Sequence, residues 1–218
     1  MKKAVVFGAS GFIGSVLTQE LLKSSDYSEV TVVVRKKLKV EHPKLKMLIG
    51  DLESLPSLKQ QIKADEVFIA LGTTRKKMPN QDDYYKVDHD YPVLAAKIVK
   101  ENGGKSVFLV TSVGADAESN AFYLSTKGKA EKDILALGFE HTHIFRPSML
   151  LGEREEHRPM EKLLIPLWSV INPVFAGGLS VYRGIKGSDV AKAMVAAAGR
   201  PSERVKIYHW KEMQELLG

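Results

Sequence analysis

Tyr123 and Lys127 stand four residues apart in "YLSTK", the spacing that places two side chains on one face of a helix. A phenol next to an ammonium is a usable proton donor. Free tyrosine, with a pKa of about 10, gives up its proton reluctantly at pH 7, and a neighbouring cation favours the phenolate. Reduction of a carbonyl by hydride needs such a donor. Ser112, at the end of the apolar run "SVFLV", carries a hydroxyl that could hold the carbonyl oxygen, and Thr111 beside it is a stand-in. A second Tyr-x-x-x-Lys match, Tyr182 to Lys186 in "YRGIK", contains Gly184 and follows "AGGLS", so its helical geometry is doubtful and Tyr182 reads as structural.

Hydride chemistry needs a nucleotide, and the opening "VVFGASGFIG" is built to hold one. Gly8, Gly11 and Gly14 lie between a short apolar run and a helical pattern. In a strand-to-helix turn one glycine permits the tight bend, a second lets backbone approach a pyrophosphate, and a third lets helix and sheet pack closely. The helix N-terminus then receives the phosphates. The next strand-like run, "VTVVV", ends in Arg35 and Lys36, with no acid before Glu41. An acid there would take the ribose 2′-hydroxyl of NAD, whereas cations suit the 2′-phosphate of NADP.

The elements that would position these residues are legible as alternation. Apolar runs at 4–7, 30–34, 46–49, 66–70, 106–110 and 142–145 read as buried strands, and residues 12–23, 86–101 and 122–137 read as helices. The expected fold is α/β, a doubly wound parallel sheet of the Rossmann type, in one domain spanning 1–218. After Pro147 the alternation fades, with helices expected at 159–170 and 187–198, and residues 148–218 are expected to cover the substrate at the carboxyl ends of the strands.

Composition narrows the setting. The chain has 218 residues, 44% hydrophobic, with a net charge of +6. Arg35, Lys36, Lys37 and Lys39 form a cluster too local for a nucleic-acid face but suited to one phosphate. There is no cysteine, hence neither disulfide nor thiolate metal site. No charged and apolar leader pattern opens the chain, and the cytoplasm is the expected location. The apolar stretch 163–179 is broken by prolines, Asn172 and paired glycines and is short for a bilayer span. It could line a substrate pocket, or serve as an interface for a protein partner or a second copy. His141 and His143 share one face of a strand, but no third ligand stands near them and they read as structural.

Taken together, "GASGFIG", "VVVRKKL", "LGTTR", "VDHDY", "TSVGAD", "FYLSTKG", "FRPSMLLG" and "HRPMEKLL" run almost end to end. Through them the chain resembles the short-chain dehydrogenase/reductase superfamily, in the small atypical branch related to the Tat-interacting-protein oxidoreductase. The resemblance implies a Rossmann fold holding NADPH, with Tyr123 as proton donor, Lys127 on the nicotinamide ribose and Ser112 beside the carbonyl of a small-molecule substrate. It further implies Ser10, Gly11, Phe12 and Ile13 at the pyrophosphate, Arg35 and Lys36 at the 2′-phosphate, and Leu71 and Gly72 on the adenosine side. Asp51 is implied near the adenine, Leu150 near the nicotinamide, and Arg158 over the cofactor. Lys36 stands where the family tends to have a second arginine, and lysine lacks the planar fork that suits phosphate. Two functions fit this sequence: an NADPH-dependent carbonyl reductase, and an NADP(H)-binding regulator or assembly protein that reports redox state. The intact Ser112, Tyr123 and Lys127 set favours the first.

Overall fold

Ala4, Val5, Val6 and Phe7 are fully buried, and because side chains alternate across a strand, two of them point to each face of the sheet. Such a strand needs cover on both sides. The computed structural model, which describes residues 1–74, 76–152, 177–200 and 203–218, provides it. Its strands are β1 (Lys2–Phe7), β2 (Tyr27–Val34), β3 (Leu45–Ile49), β4 (Glu66–Ile69), β5 (Ser106–Val110), β6 (His141–Phe145), β7 (Leu150–Leu151), β8 (Ile185–Lys186) and β9 (Val205–Tyr208). Its helices are α1 (Phe12–Lys23), α2 (Leu55–Leu58), α3 (Gln81–Tyr85), α4 (Tyr91–Glu101), α5 (Phe122–Ala136), α6 (Gly187–Ala198) and α7 (Trp210–Leu217).

Seven strands form one parallel sheet in the order β3-β2-β1-β4-β5-β6-β9. This is the doubly wound order, and the crevice between β1 and β4 is where the winding reverses. Phe7 pairs with both Val33 and Ile69, so the carboxyl ends of β2, β1 and β4 are level at that crevice. On one face Ala4 and Val6 pack with Leu17 and Leu21 of α1, Val190 and Met194 of α6, and Met213 of α7. On the other, Val5 and Phe7 pack with Leu55 of α2, Ala95 and Val99 of α4, and Ile134 of α5. Each buried Val, Leu, Ile, Phe or Met among them contributes about 1.5–3 kcal/mol by leaving water.

The second half of the region expected to cover the substrate has a further role. Strand β9 extends the main sheet beside β6, with Phe145 opposite Tyr208, and α6 packs on α1. These residues are part of the domain's own layers. The two-stranded ribbon β7–β8, with Leu150 opposite Ile185, stands apart from the main sheet. The helix expected at 159–170 and most of the apolar stretch 163–179 lie outside the described residues. Helix α6 occupies the positions expected of it. The helix expected at 86–101 begins earlier: Asn80 caps α3 by accepting from the backbone N–H groups of Asp82 at 2.8 Å and Asp83 at 3.3 Å, and a π-helical turn over 86–90 joins α3 to α4.

Candidate functional site

The turn after β1 shows why it is glycine-rich. Gly8 has φ +92°, and a Cβ there would stand 2.5 Å from the carbonyl oxygen of Ala70 on the neighbouring strand end. Only glycine fits. A Cβ at Gly14 would stand 2.0 Å from the Gly8 carbonyl oxygen, so α1 can sit this close to the turn only without a side chain there. Gly11 is exposed, caps α1 without any side-chain hydrogen bond, and donates its own N–H to Gly8 at 2.8 Å. The first turn of α1 carries no acid. A helix start with no side-chain cap, the helix dipole behind it and no acid in its first turn fits a pyrophosphate. Ser10 is exposed at the same turn, while Ile13 and Gly14 are buried and can offer only backbone. The Phe12 ring packs where Gly152 and Gly187 leave room: a Cβ at Gly187 would meet it at 2.4 Å, and one at Gly152 at 2.9 Å.

Arg35 and Lys36 are exposed just beyond β2. Asp51, exposed beyond β3, accepts from the Ser54 hydroxyl at 2.7 Å and the Ser54 N–H at 3.0 Å. Those hydrogen bonds hold its carboxyl below the ordinary range. Leu71 packs against the core cluster beneath α4, and Gly72 is exposed at the end of β4. Leu150, in β7, packs half-buried on the cluster that contains α1 and α6.

Helix α5 carries Tyr123 in its first turn and Lys127 one turn later. They differ sharply in setting: Tyr123 is 41% exposed, and its hydroxyl makes no hydrogen bond to a described residue, whereas Lys127 is 4% exposed. The loop from β5 is clamped onto the helix. A Cβ at Gly128 would stand 2.2 Å from the backbone of Asp116 and Ala117, Asp116 donates its N–H to Leu124, and Ser125 Oγ donates to the Ala117 carbonyl. This contact fixes Ser112, at the start of the loop, relative to α5. Ser112 is buried and donates only to the neighbouring Val113 carbonyl, at 3.3 Å. Thr111 is engaged elsewhere, donating to Glu131 Oε1 at 2.5 Å, and so is not a free substitute for Ser112.

Two buried ion pairs support this arrangement and escaped the reading of the sequence. Lys127 Nζ stands 2.5 Å from Asp88 Oδ1. Glu131, one turn beyond Lys127, takes a two-pronged contact from Arg146 at the end of β6, with Nε at 2.9 Å. A signal was present in each case. Asp88 falls on the stripe that continues into Ala95 and Val99, and Glu131 on the stripe of Lys127 and Ile134, where a charge must have a partner. His141 and His143 do face the same side, with ring centroids 6.5 Å apart. Among the described residues no group of three ligand-type side chains could hold a metal, and no helix is long and apolar enough to cross a membrane.

A family model described as NAD(P)H-binding matches residues 8–201. The chain belongs to that family. Within it the chain stands in the HTATIP2 branch of the atypical short-chain dehydrogenase/reductases: the HTATIP2 protein of Rattus norvegicus is 35% identical over 184 residues, covering 83% of this chain and 76% of that one. The mitochondrial FMP52 protein of Meyerozyma guilliermondii is 36% identical over 203 residues, covering 91% and 86%. The solved structure of MoeE5 in complex with UDP-glucose and NAD has the same fold, with TM-score 0.70 at 20% identity over 94% of this chain and 74% of that one. This NAD(P)H-binding domain is thus oxidoreductase-like, with a nicotinamide cofactor. The cytoplasmic expectation is overturned by the FMP52 relatives, which are named as mitochondrial. A lack of cysteine is compatible with more than one compartment and so does not single out the cytoplasm. Arg158, expected over the cofactor, and Arg75 of "LGTTR" lie outside the described residues.

Proposed function

We propose that this protein is an NADPH-dependent reductase of a small or apolar carbonyl compound, with Tyr123 as proton donor. The observation that carries this reading is the pairing, on one face of α5, of an exposed phenol with a buried lysine whose charge is already held in place. Lys127, one turn beyond Tyr123 on α5, would hold the nicotinamide ribose. Ser112 would hydrogen-bond the carbonyl oxygen as negative charge builds on it. The backbone from Gly8 to Ile13 would take the pyrophosphate, with Leu71 and Gly72 on the adenosine side, Asp51 near the adenine, and Leu150 and Arg158 towards the nicotinamide. When bound, the reduced nicotinamide supplies a hydride to the carbonyl carbon. Tyr123 gives its proton to the oxygen, completing an alcohol. Two exposed cations directly after β2, with no acid before Glu41, support NADP over NAD. The names of the FMP52 relatives point to the mitochondrion as the setting.

The test is Tyr123→Phe, assayed for NADPH oxidation with a panel of aldehydes and ketones. Turnover should vanish while NADPH affinity stays within about threefold, since only the donating hydroxyl is lost. A variant as fast as the wild type would remove the proton-donor role, and a wild type with no turnover on the panel would leave a protein that binds NADP(H) to sense or assemble.

A further inference from the structure

An ammonium as buried as that of Lys127 is tolerated only with an opposite charge against it. Asp88, itself 1% exposed, provides that charge and divides its two oxygens between two tasks. Oδ2 accepts the backbone N–H of Thr73 at 2.9 Å, just beyond β4. Oδ1 has Lys127 Nζ against it at 2.5 Å yet makes no hydrogen bond of good alignment, so charge rather than direction joins the pair. Among the described residues Lys127 has no other partner. The pair lies under Gly72, where a Cβ would be 3.7 Å from each of the two charged atoms. Asp88 stands in the π-helical turn between α3 and α4. Such a turn inserts a residue into the helical repeat and re-aims the side chains on it, and it recurs at functional sites.

We infer that Asp88 is the positioning residue for Lys127 towards the cofactor. It anchors the ammonium at the carboxyl end of β4, beside Gly72, and leaves the other ammonium N–H groups to ribose hydroxyls. This rests on the reading of Lys127 as the ribose ligand. Asp88 acts through Lys127 alone, and asparagine cannot take its place: it lacks the charge and offers one acceptor where two donors converge.

The experiment is a cycle of NADPH fluorescence titrations on wild type, Asp88→Asn, Lys127→Met and the double variant, all checked for folding by circular dichroism. Asp88→Asn should weaken NADPH by about tenfold on the wild-type background and by less than about twofold on the Lys127→Met background, because the residue it serves is then gone. NADH should be weakened by the same factor, since both nucleotides carry this ribose. Asp88→Asn that fails to fold alone but folds together with Lys127→Met shows a buried ion pair that holds the fold and overturns the positioning role. Equal losses on both backgrounds, no loss on the wild-type background, or failure of both variants to fold would each overturn it, leaving Asp88 as a brace for the β4 loop or as inert. Should Lys127→Met itself bind NADPH like the wild type, the ribose reading falls and this inference falls with it. If Lys127→Met weakens binding and Asp88→Asn does not, only the inference falls.

Discussion

A single methyl group at position 72 tests where the cofactor approaches. An alanine Cβ there would meet Asp88 Oδ1 and Lys127 Nζ at 3.7 Å, ordinary van der Waals contact, and the backbone is not left-handed. Gly72→Ala is therefore expected to fold with Tm within a few degrees of wild type, yet to bind NADPH about tenfold more weakly, because the methyl stands over the ion pair. Unchanged affinity would mean that nothing comes to the pair from that side. Just beyond β2, the proposed role of Arg35 is tested by nucleotide preference. A charge-assisted hydrogen bond contributes about 1.5–3 kcal/mol, so Arg35 and Lys36 together should give at least about tenfold preference for NADPH over NADH, reduced by salt. Arg35→Asp should invert the ratio, since a carboxylate repels the 2′-phosphate and accepts from a bare 2′-hydroxyl. Paired titrations with both nucleotides at two salt concentrations decide it, and an unmoved ratio would reduce the basic run to a solvated loop.

Among the elements, the sheet carries a column of rings across its strands. Phe68 of β4 stacks on Phe108 of β5 at 4.6 Å, Phe108 on His143 of β6 at 4.7 Å, and His143 lies beside Tyr208 of β9, whose hydroxyl is 2.8 Å from its Nδ1. Burial first, then the nearby positive charges of His141 and Lys206, push His143 from 6.5 down to about 4. The unfolded chain takes up this proton near 6.5 and the folded chain only near 4, so His143 stabilises the fold fully above 6.5 and progressively less as pH falls towards 4. Between pH 7 and pH 5 its share of the loss is about 2 kcal/mol. Urea unfolding at both pH values should show that loss in wild type and a smaller one in His143→Phe, and equal losses would rule out His143 as the source. Burial on both faces explains which strands were readable in the sequence. Strands β1, β2, β4 and β5 are buried on both faces over most of their length and stand out as apolar runs, and β3 and β6 were legible from the shorter runs 46–49 and 142–145. Strand β9 was not, because at the sheet edge Val205 and Ile207 face outwards, giving a four-residue pattern with its apolar side exposed. The site divides along the same line. The glycine turn and the Tyr123–Lys127 spacing are local in sequence and could be read, whereas Asp88 with Lys127, and Glu131 with Arg146, meet only once separate elements pack.

For the molecule as a whole, the last residues decide whether the fold closes. A chain ending at residue 200 keeps every described residue proposed for the cofactor and for catalysis but loses β9 and α7, with buried Tyr208 and Met213. It would bare the edge of β6 and part of the core over α6. Such a chain should fail to give a cooperative thermal transition or to bind NADPH, and a normal melting curve would show the tail to be a separable cover. The Phe12 ring ties the phosphate turn to that same half of the molecule through the space left by Gly152 and Gly187. This constrains how descendants of the chain can vary. A larger residue at 187 or 152 requires the ring at position 12 to shift or to be replaced by something smaller, so the three positions are expected to vary together in descendants of the chain.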